Sequence, residues 1–444
     1  MVTSPQEIKE EREAREERCK VGLIGFGTVG RSVARILTNG AGPLQLTRVY
    51  NRNIARKKVD WVKRDVVWTD NVDDVLKSDC DVVLELIGGL DPAEGWVRRA
   101  LESDKSVVTA NKQLMARFGP ELLQTAAKHG RHLLYGASVA GGIPVLLGLQ
   151  EGLAGDRIQR ISGILNGTCN YILSQIENAG ISFGEALEQA QAKGFAEANA
   201  SEDIDGFDAR AKLTILARTA LNAMLEPEQV ETHSIREVEQ IDFAYAHDLG
   251  CTIRQISRAE LGKDPCLLTT ADVGSGEVLY ARVQPCLVSQ GSALARVTGS
   301  QNVVVSKGEF GGETVFSGHG AGGDPTAVAV VSDLLWLARN RENKTSAGES
   351  ARRKLKVSGD FNSAHYVRFK VADKPGIIAA LANVFSRHGI NIDSVLQRPG
   401  FSKASLPFVI TLEPCRSEKV REALAEIRGL DFHVATPVDM PMLG

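Results

Sequence analysis

A short apolar run, Lys20-Val21-Gly22-Leu23-Ile24, ends in Gly25-Phe26-Gly27-Thr28-Val29-Gly30 and passes into an amphipathic helical pattern through Leu37. Few sequence features restrict a fold as much. The first glycine of such a turn permits a sharp reversal, the second lets another molecule approach the backbone, and the third packs helix against strand. The helix start then offers free N–H groups and the positive end of its dipole to a pyrophosphate. The spacing alone is a weak signal, and a turn kept only for packing is the alternative. Its place between a strand and a helix gives it weight.

The same rhythm continues down the chain. Strands are predicted at Leu44–Tyr50, Asp81–Ile87 (ending in Gly88-Gly89), Ser106–Thr109 and His132–Tyr135, separated by helical stretches. Strands alternating with helices of this length imply βαβ units and a parallel sheet, here a Rossmann-like one. It spans residues 20–145 and is completed by a helix at about 319–340. Residues 146–318 mix helix (Phe183–Ala192, Ile204–Ala220) with strand (Val278–Leu287, Asn302–Ser306), as expected of an α+β substrate and dimerisation domain. The Gly-rich turn Ser317–Gly323 leads into an apolar helix from Pro325 to Ala338. Polar residues 341–358 read as a linker. Residues 359–444 show a βαββαβ order, predicted as a separate α+β unit: His365–Val371, Gly376–His388, Ile390–Gln397, Pro407–Leu412, Ser417–Ile427 and Asp431–Thr436. The fold class is therefore α/β in three parts.

Composition narrows the partners. The 444 residues exceed what one core supports. With 52 Lys+Arg against 55 Asp+Glu the net charge is −3, which leaves no electrostatic footprint for nucleic acid or an anionic membrane. No apolar run reaches the roughly 18 residues that span a bilayer. The seven cysteines are scattered without a C-x-x-C pair, which suggests neither a disulfide framework nor zinc, and points to a reducing, cytoplasmic setting. Residues 1–19 carry many Glu and Arg and no apolar core, and are expected to form a solvated extension rather than a secretory signal.

Several groups carry chemistry. A fold selective for NAD usually places an acid about twenty residues beyond the glycines, on the ribose 2′-hydroxyl. Between Arg31 and Val59 there is none, and Arg52, Arg56, Lys57 and Lys58 follow the second strand instead. These cations suit a 2′-phosphate, so NADP(H) is expected ahead of NAD(H), unless they are ordinary surface charges. Glu197, Asp203, Asp205, Asp208, Arg210 and Lys212 crowd together. Asp208 and Lys212 share a helix face at i, i+4. They are either an exposed pair or a lysine set among carboxylates to deliver a proton to a carbonyl oxygen as hydride arrives. Cys169, in Asn166-Gly167-Thr168-Cys169-Asn170, is either a thiolate at a helix start or a small packed residue.

Longer stretches carry a resemblance. Gly25–Gly30, Thr109-Ala110-Asn111-Lys112, Ala137-Ser138-Val139-Ala140-Gly141-Gly142-Ile143-Pro144 and Gly163–Ile172 resemble homoserine dehydrogenase. So do Gly194–Ala198, Asp208–Leu213 and Gly318–Thr326, all in family order. The segment opening Asp373-Lys374-Pro375-Gly376-Ile377 resembles an ACT-type amino-acid-sensing domain. The resemblance implies reversible NAD(P)-dependent interconversion of L-homoserine and L-aspartate 4-semialdehyde, on the route to threonine, isoleucine and methionine. It implies Lys212 as proton donor and Lys112 beside nicotinamide and substrate. Glu197 and Asp208 would bind the substrate's amino and hydroxyl ends, with Thr168 and Asp203 nearby. Gly25, Phe26, Gly27, Thr28, Val29, Gly30, Arg52, Thr109, Lys112, Gly194 and Gly320 would bind the cofactor. A structural Na⁺ or K⁺ would rest on the backbone carbonyls of Val139, Gly141 and Ile143.

The sequence departs from the family in three places. Gly136 stands where a glutamate often ligates that cation, Asn199-Ala200 replaces the usual Asp-Pro, and His319 interrupts the late glycine turn with no role beyond a local contact. The C-terminal segment is expected to bind an amino acid, threonine first, or else to serve only in assembly; a homodimer or homotetramer is implied. Two rival functions remain open on the sequence. One is an acylating aldehyde dehydrogenase with Cys169 as nucleophile, the other a non-catalytic amino-acid sensor that retains nucleotide binding.

Overall fold

The computed structural model describes residues 18–40, 42–263, 276–340 and 352–443. The readings made for residues 1–17 and 341–351 lie outside the described residues. The described chain divides into two compact units. One runs to Gly155 and resumes from Gly318; the other comprises Asp156–Ser317 and the chain from Arg353.

The first unit is built on a six-stranded sheet: β1 (Cys19–Ile24), β2 (Leu44–Tyr50), β3 (Val67–Thr69), β4 (Val82–Glu85), β5 (Ser106–Thr109) and β6 (Leu133–Leu134). Their order is β3-β2-β1-β4-β5-β6, and every pairing is parallel. Parallel strands buried on both faces need continuous apolar runs, and β4 is buried at all four positions. Helix α1 (Thr28–Thr38), α2 (Ala93–Glu102) and α3 (Lys112–Lys128) are crossovers between the strands. The chain order reverses between β1 and β4, and such a switch point opens a crevice at the carboxyl ends of the strands. The returning helix α8 (Gly323–Arg339) places Ala327, Val330, Leu334 and Leu337 in one core with Val33, Ala34 and Leu37 of α1.

In the second unit, the helices that matter are α4 (Gly167–Ala179), α5 (Phe183–Ala192), α6 (Phe207–Ala220) and α7 (Gln240–Asp248). The helix predicted over Ile204–Ala220 is broken. A short turn of helix, Ser201–Ile204, ends before Gly206, whose φ of +85° is the left-handed conformation that favours glycine, and α6 starts after it.

The second unit's sheet, among the described residues, contains β7 (Ile158–Ile164), β8 (Glu231–Thr232), β9 (Cys251–Lys263), β10 (Glu277–Ser289), β11 (Gln301–Gly308), β12 (Glu313–His319), β13 (Lys356–Ser358), β14 (Asn362–Val371), β15 (Ile392–Leu396), β16 (Leu406–Arg416) and β17 (His433–Leu443). The main path is β12-β11-β7-β9-β10-β17-β14-β16-β15. The βαββαβ order is present, with α9 (Ile377–Arg387) and α10 (Ser417–Ile427) as its helices.

The C-terminal segment shares one compact unit with Asp156–Ser317. Strand β17 runs to Leu443, well past Thr436, and pairs with β10 through Leu287–Met442 and Val288–Leu443. Lys356–Ser358, expected within the linker, is strand β13 on β10. Tyr366, Val409, Val438 and Met440 share a core with Cys169, Ile172 and Leu173 of α4 and Phe243, Tyr245 and Ala246 of α7. Long-range pairing of this kind leaves no mark in local periodicity.

Candidate active site

The three glycines of the first unit's turn meet different surroundings. Gly25 has φ +104°, and a Cβ there would lie 2.8 Å from the Leu86 carbonyl oxygen. A Cβ on Gly30 would lie 2.1 Å from the Gly25 carbonyl oxygen, so helix and turn touch at that point. Gly27 is different: a Cβ there would meet nothing within 4 Å, so no protein neighbour requires a glycine. Gly27 is also the N-cap of α1 and has no side chain to take up the helix's first N–H groups. Thr28 is exposed and Val29 half-buried. Phe26 offers only its backbone, because its ring is fully buried against Trp68 and Trp61. Arg52 is exposed just beyond β2, with Arg56 and Lys57 on the short helix Ile54–Lys57.

The start of α8 adjoins this turn. A Cβ on Gly323 would lie 2.9 Å from the Thr28 methyl, and Ser32 of α1 donates to Asp324 Oδ1 at 2.6 Å. Gly320 is buried, with its carbonyl oxygen 2.6 Å from where a Gly141 Cβ would sit. His319 accepts the Gly142 N–H at 3.1 Å through its backbone carbonyl.

Thr109 and Lys112 are held by a group that the sequence reading missed. Glu85, fully buried at the end of β4, accepts from the Thr109 hydroxyl at 2.6 Å and from the N–H groups of Ile87 and Gly88. The Thr109 oxygen in turn accepts from the Asn111 N–H, and Asn111 caps α3 by accepting from Leu114 N–H. Lys112 is thereby fixed as the first residue of α3. Only a charged residue inside an otherwise apolar run hinted at Glu85.

In the second unit, the predicted carboxylates and lysine come together. Lys212 Nζ lies 2.7 Å from Asp208 Oδ2 and donates to the Leu165 carbonyl at 2.8 Å. The side chains retain only 12% and 9% of their exposure, so this is not a solvated helix pair. Asn166 donates to Asp203 Oδ1 at 2.6 Å and to Asp208 Oδ2 at 2.9 Å. The Thr168 hydroxyl donates to the Phe195 carbonyl at 2.7 Å, which ties α4 to the turn after α5. Gly194 and Glu197 are exposed on that turn. Among the described residues, no hydrogen bond joins Glu197's carboxylate to the Lys212 cluster. Its backbone carbonyl accepts from Gln191 at 3.1 Å. Asn199 accepts the Ser201 N–H with its side chain at 3.2 Å, so an asparagine shapes the loop where the family has Asp-Pro.

Cys169 is unsuited to nucleophilic attack. It is fully buried, its thiol donates to the Asp203 carbonyl at 3.1 Å, and burial followed by the charges of Asp203 and Asp208 pushes it well above the usual thiol range. A thiolate nucleophile needs the opposite setting.

The proposed cation loop contains Val139, Gly141 and Ile143. The Ile143 carbonyl already accepts the Val145 N–H at 2.7 Å. Asp333 of α8 lies against Gly136, accepting its N–H at 2.9 Å, and its oxygens are 2.8 and 3.0 Å from where a residue-136 Cβ would begin. Burial pushes the Asp333 carboxyl up to about 7. Among the described residues no three His, Cys, Asp or Glu side chains cluster to hold a metal, and no helix is long and apolar enough to cross a membrane.

A phosphate cradle at a sheet's switch point, with a buried lysine–carboxylate pair in a second unit, defines a nicotinamide-nucleotide oxidoreductase. Comparison with known proteins makes this particular. The model of the homoserine dehydrogenase NAD-binding domain matches residues 25–136, that of homoserine dehydrogenase residues 144–335, and that of the ACT domain residues 365–432. A homoserine dehydrogenase of Synechocystis is 37% identical over 93% of this chain and 96% of its own length, and one of Mycobacterium bovis is 39% identical over 86% and 87%. The solved homoserine dehydrogenase of Thiobacillus denitrificans superposes with a TM-score of 0.86 at 31% identity, over 96% of this chain and 98% of that one. A hyperthermophilic archaeal homoserine dehydrogenase in complex with NADPH superposes at 0.60 with 25% identity, over 73% and 98%. The chain belongs to the homoserine dehydrogenase family and carries a C-terminal ACT domain. The acylating and non-catalytic readings are not favoured.

Proposed function

We propose that this enzyme interconverts L-homoserine and L-aspartate 4-semialdehyde, using NADP(H) in preference to NAD(H). The observation that carries the proposal is the Lys212 ammonium. Asp208 and the Leu165 carbonyl take two of its three N–H donors, which leaves one for a substrate oxygen. Asp208 pairs with the lysine, and the Leu165 carbonyl fixes its direction.

The nucleotide, when bound, gives hydride to the aldehyde carbon or takes it back from the alcohol. As hydride arrives, negative charge develops on the oxygen, and Lys212 delivers a proton to it; in reverse it accepts that proton. Lys112 adds positive charge at the substrate, while Glu197 and Asp208 receive its amino and hydroxyl ends, with Thr168 and Asp203 beside them. The Gly25–Gly30 turn receives the pyrophosphate through backbone N–H groups, and Arg52 the 2′-phosphate. Gly194, Gly320 and Thr109 serve the nucleotide through backbone and shape. A monovalent cation would rest on the Val139, Gly141 and Ile143 carbonyls, with Asp333 bringing a carboxylate to Gly136. Threonine is the effector proposed for the ACT domain, in a cytoplasmic homodimer or homotetramer.

The test is oxidation of NADPH by purified protein with aspartate semialdehyde, repeated with NADH and with added threonine. Turnover with NADPH exceeding that with NADH is expected. Absence of turnover with both nucleotides overturns the reaction, and equal use of the two overturns the preference.

A further inference from the structure

Asn166 ends its side chain in two opposed functions. Its oxygen Oδ1 accepts the Cys169 N–H at 2.8 Å and caps α4. Its nitrogen Nδ2 donates to Asp203 Oδ1 and Asp208 Oδ2. Turning the amide over would set its oxygen against both carboxylates and its N–H₂ against a backbone N–H, so only one orientation satisfies all three partners. The residue is 3% exposed, and its backbone at φ −120° and ψ 112° is that of an ordinary helix cap.

The carboxylates of Asp203 and Asp208 thus lie within hydrogen-bond distance of one nitrogen. Two like charges so close repel unless a donor stands between them. Asp208 Oδ2 is also the oxygen that pairs with Lys212. The Leu165 carbonyl, Lys212's other acceptor, belongs to the residue just before Asn166 and is itself held by Asn302 Nδ2 at 2.9 Å. The loop 165–166 therefore sets both acceptors of the lysine, one directly and one through a side-chain amide.

We propose that Asn166 is a positioning residue for proton transfer: by bridging Asp203 and Asp208 it holds Asp208 where it orients the Lys212 ammonium. This deepens the reaction proposed above and rests on the proton role of Lys212. Asn166 touches no reacting atom. Its removal acts on turnover through Lys212 while nucleotide binding, set in the other unit by the glycine turn, is retained.

The test separates the cap from the bridge. Aspartate and serine both cap helices well, so Asn166→Asp and Asn166→Ser preserve the start of α4 while removing the amide donor. Asn166→Asp brings a further carboxylate to Asp203 and to Asp208, Lys212's partner, and the added negative charge favours the charged lysine. With aspartate semialdehyde and NADPH, kcat is expected to fall at least about tenfold in both variants, with the KM for NADPH and the melting temperature little changed. The alkaline limb of the kcat profile should move to higher pH in Asn166→Asp and less in Asn166→Ser. Variants with wild-type kcat and an unmoved profile overturn the inference, as does a kcat loss that follows the melting temperature alone.

A second readout does not depend on turnover. The pH dependence of Lys212 labelling by an amine-reactive reagent, resolved by peptide mass spectrometry, should shift upward in Asn166→Asp. An unshifted curve overturns the bridge whichever reaction is catalysed. Wild-type protein that never oxidises NADPH, paired with a variant that shows this shift, would sink the proposed reaction and leave the bridge standing.

Discussion

Asp242 of α7 and Arg368 of β14 form an ion pair at 2.8 Å with both side chains withdrawn from water. Tyr366 donates to Asp242 at 2.8 Å, and Arg368 also reaches Glu239 at 2.8 Å and the Glu237 carbonyl at 2.7 Å. The ACT domain is therefore joined to α7 by buried polar groups as well as by apolar contact. Replacing Arg368 strands the buried Asp242 carboxylate, which costs about 3–5 kcal/mol, whereas replacing Asp242 leaves Arg368 paired with Glu239. Arg368→Met should lower unfolding stability by that order in urea titration, and Asp242→Leu by less. The double variant should lose less than the sum of the two.

Asp333 makes stability depend on pH. Burial desolvates its carboxyl in the folded state and pushes it up to about 7, above the ordinary carboxylate range. The folded state then holds its proton to higher pH than the unfolded state. The associated stability is full below the unfolded pKa and is lost as pH rises through about 7. Asp333→Asn, which keeps an acceptor for the Gly136 N–H, should flatten this decline and melt higher than wild type at pH 8. Identical slopes in the two proteins would refute it. Addition of K⁺ or Na⁺ at pH 8 should raise the wild-type melting temperature more than the variant's if the proposed cation site is filled.

Lys212→Ala should lower turnover by about 10²-fold or more, the scale of lost general-acid help, with NADPH binding retained by fluorescence titration. Wild-type turnover in this variant would move the proton role elsewhere, with Lys112 the next candidate.

Cys169→Ser should keep most of its turnover. The thiol is buried and far above the range in which it ionises, so its removal takes away no nucleophile. Loss of turnover in a folded variant would revive thiolate chemistry.

Arg52→Ala should weaken NADPH more than NADH. A charge-assisted hydrogen bond to phosphate contributes about 1.5–3 kcal/mol, so the KM for NADPH should rise roughly tenfold or more while that for NADH changes little. Equal effects on the two would return Arg52 to the class of ordinary surface cations.

Much of this architecture was legible because it is local. The alternation in Leu44–Tyr50 and the helical periods of Phe183–Ala192 and Ser417–Ile427 match the observed elements end to end. Gly25 and Gly30 were legible because a positive φ at one and close approach at the other leave a glycine no substitute. What stayed hidden depends on contacts distant in sequence. Asn166 gave no sign that one amide would face a helix start and two carboxylates. Asp333 lay within an apolar helix with nothing to show that Gly136 would leave room for it. The break at Gly206 interrupts a run whose apolar spacing is otherwise unbroken.

The pairing of β17 with β10 also limits how the ACT domain can move. A domain on a free tether can swing, and its motion is absorbed by the tether. Here the last strand is laced into the sheet that also carries β7, the strand leading to Leu165 and Asn166. Swinging would unlace that seam and expose the Asp242–Arg368 charges. A strain arising in the ACT domain is better carried as twist along one continuous fabric of strands, with the turn after β7 stitched into it.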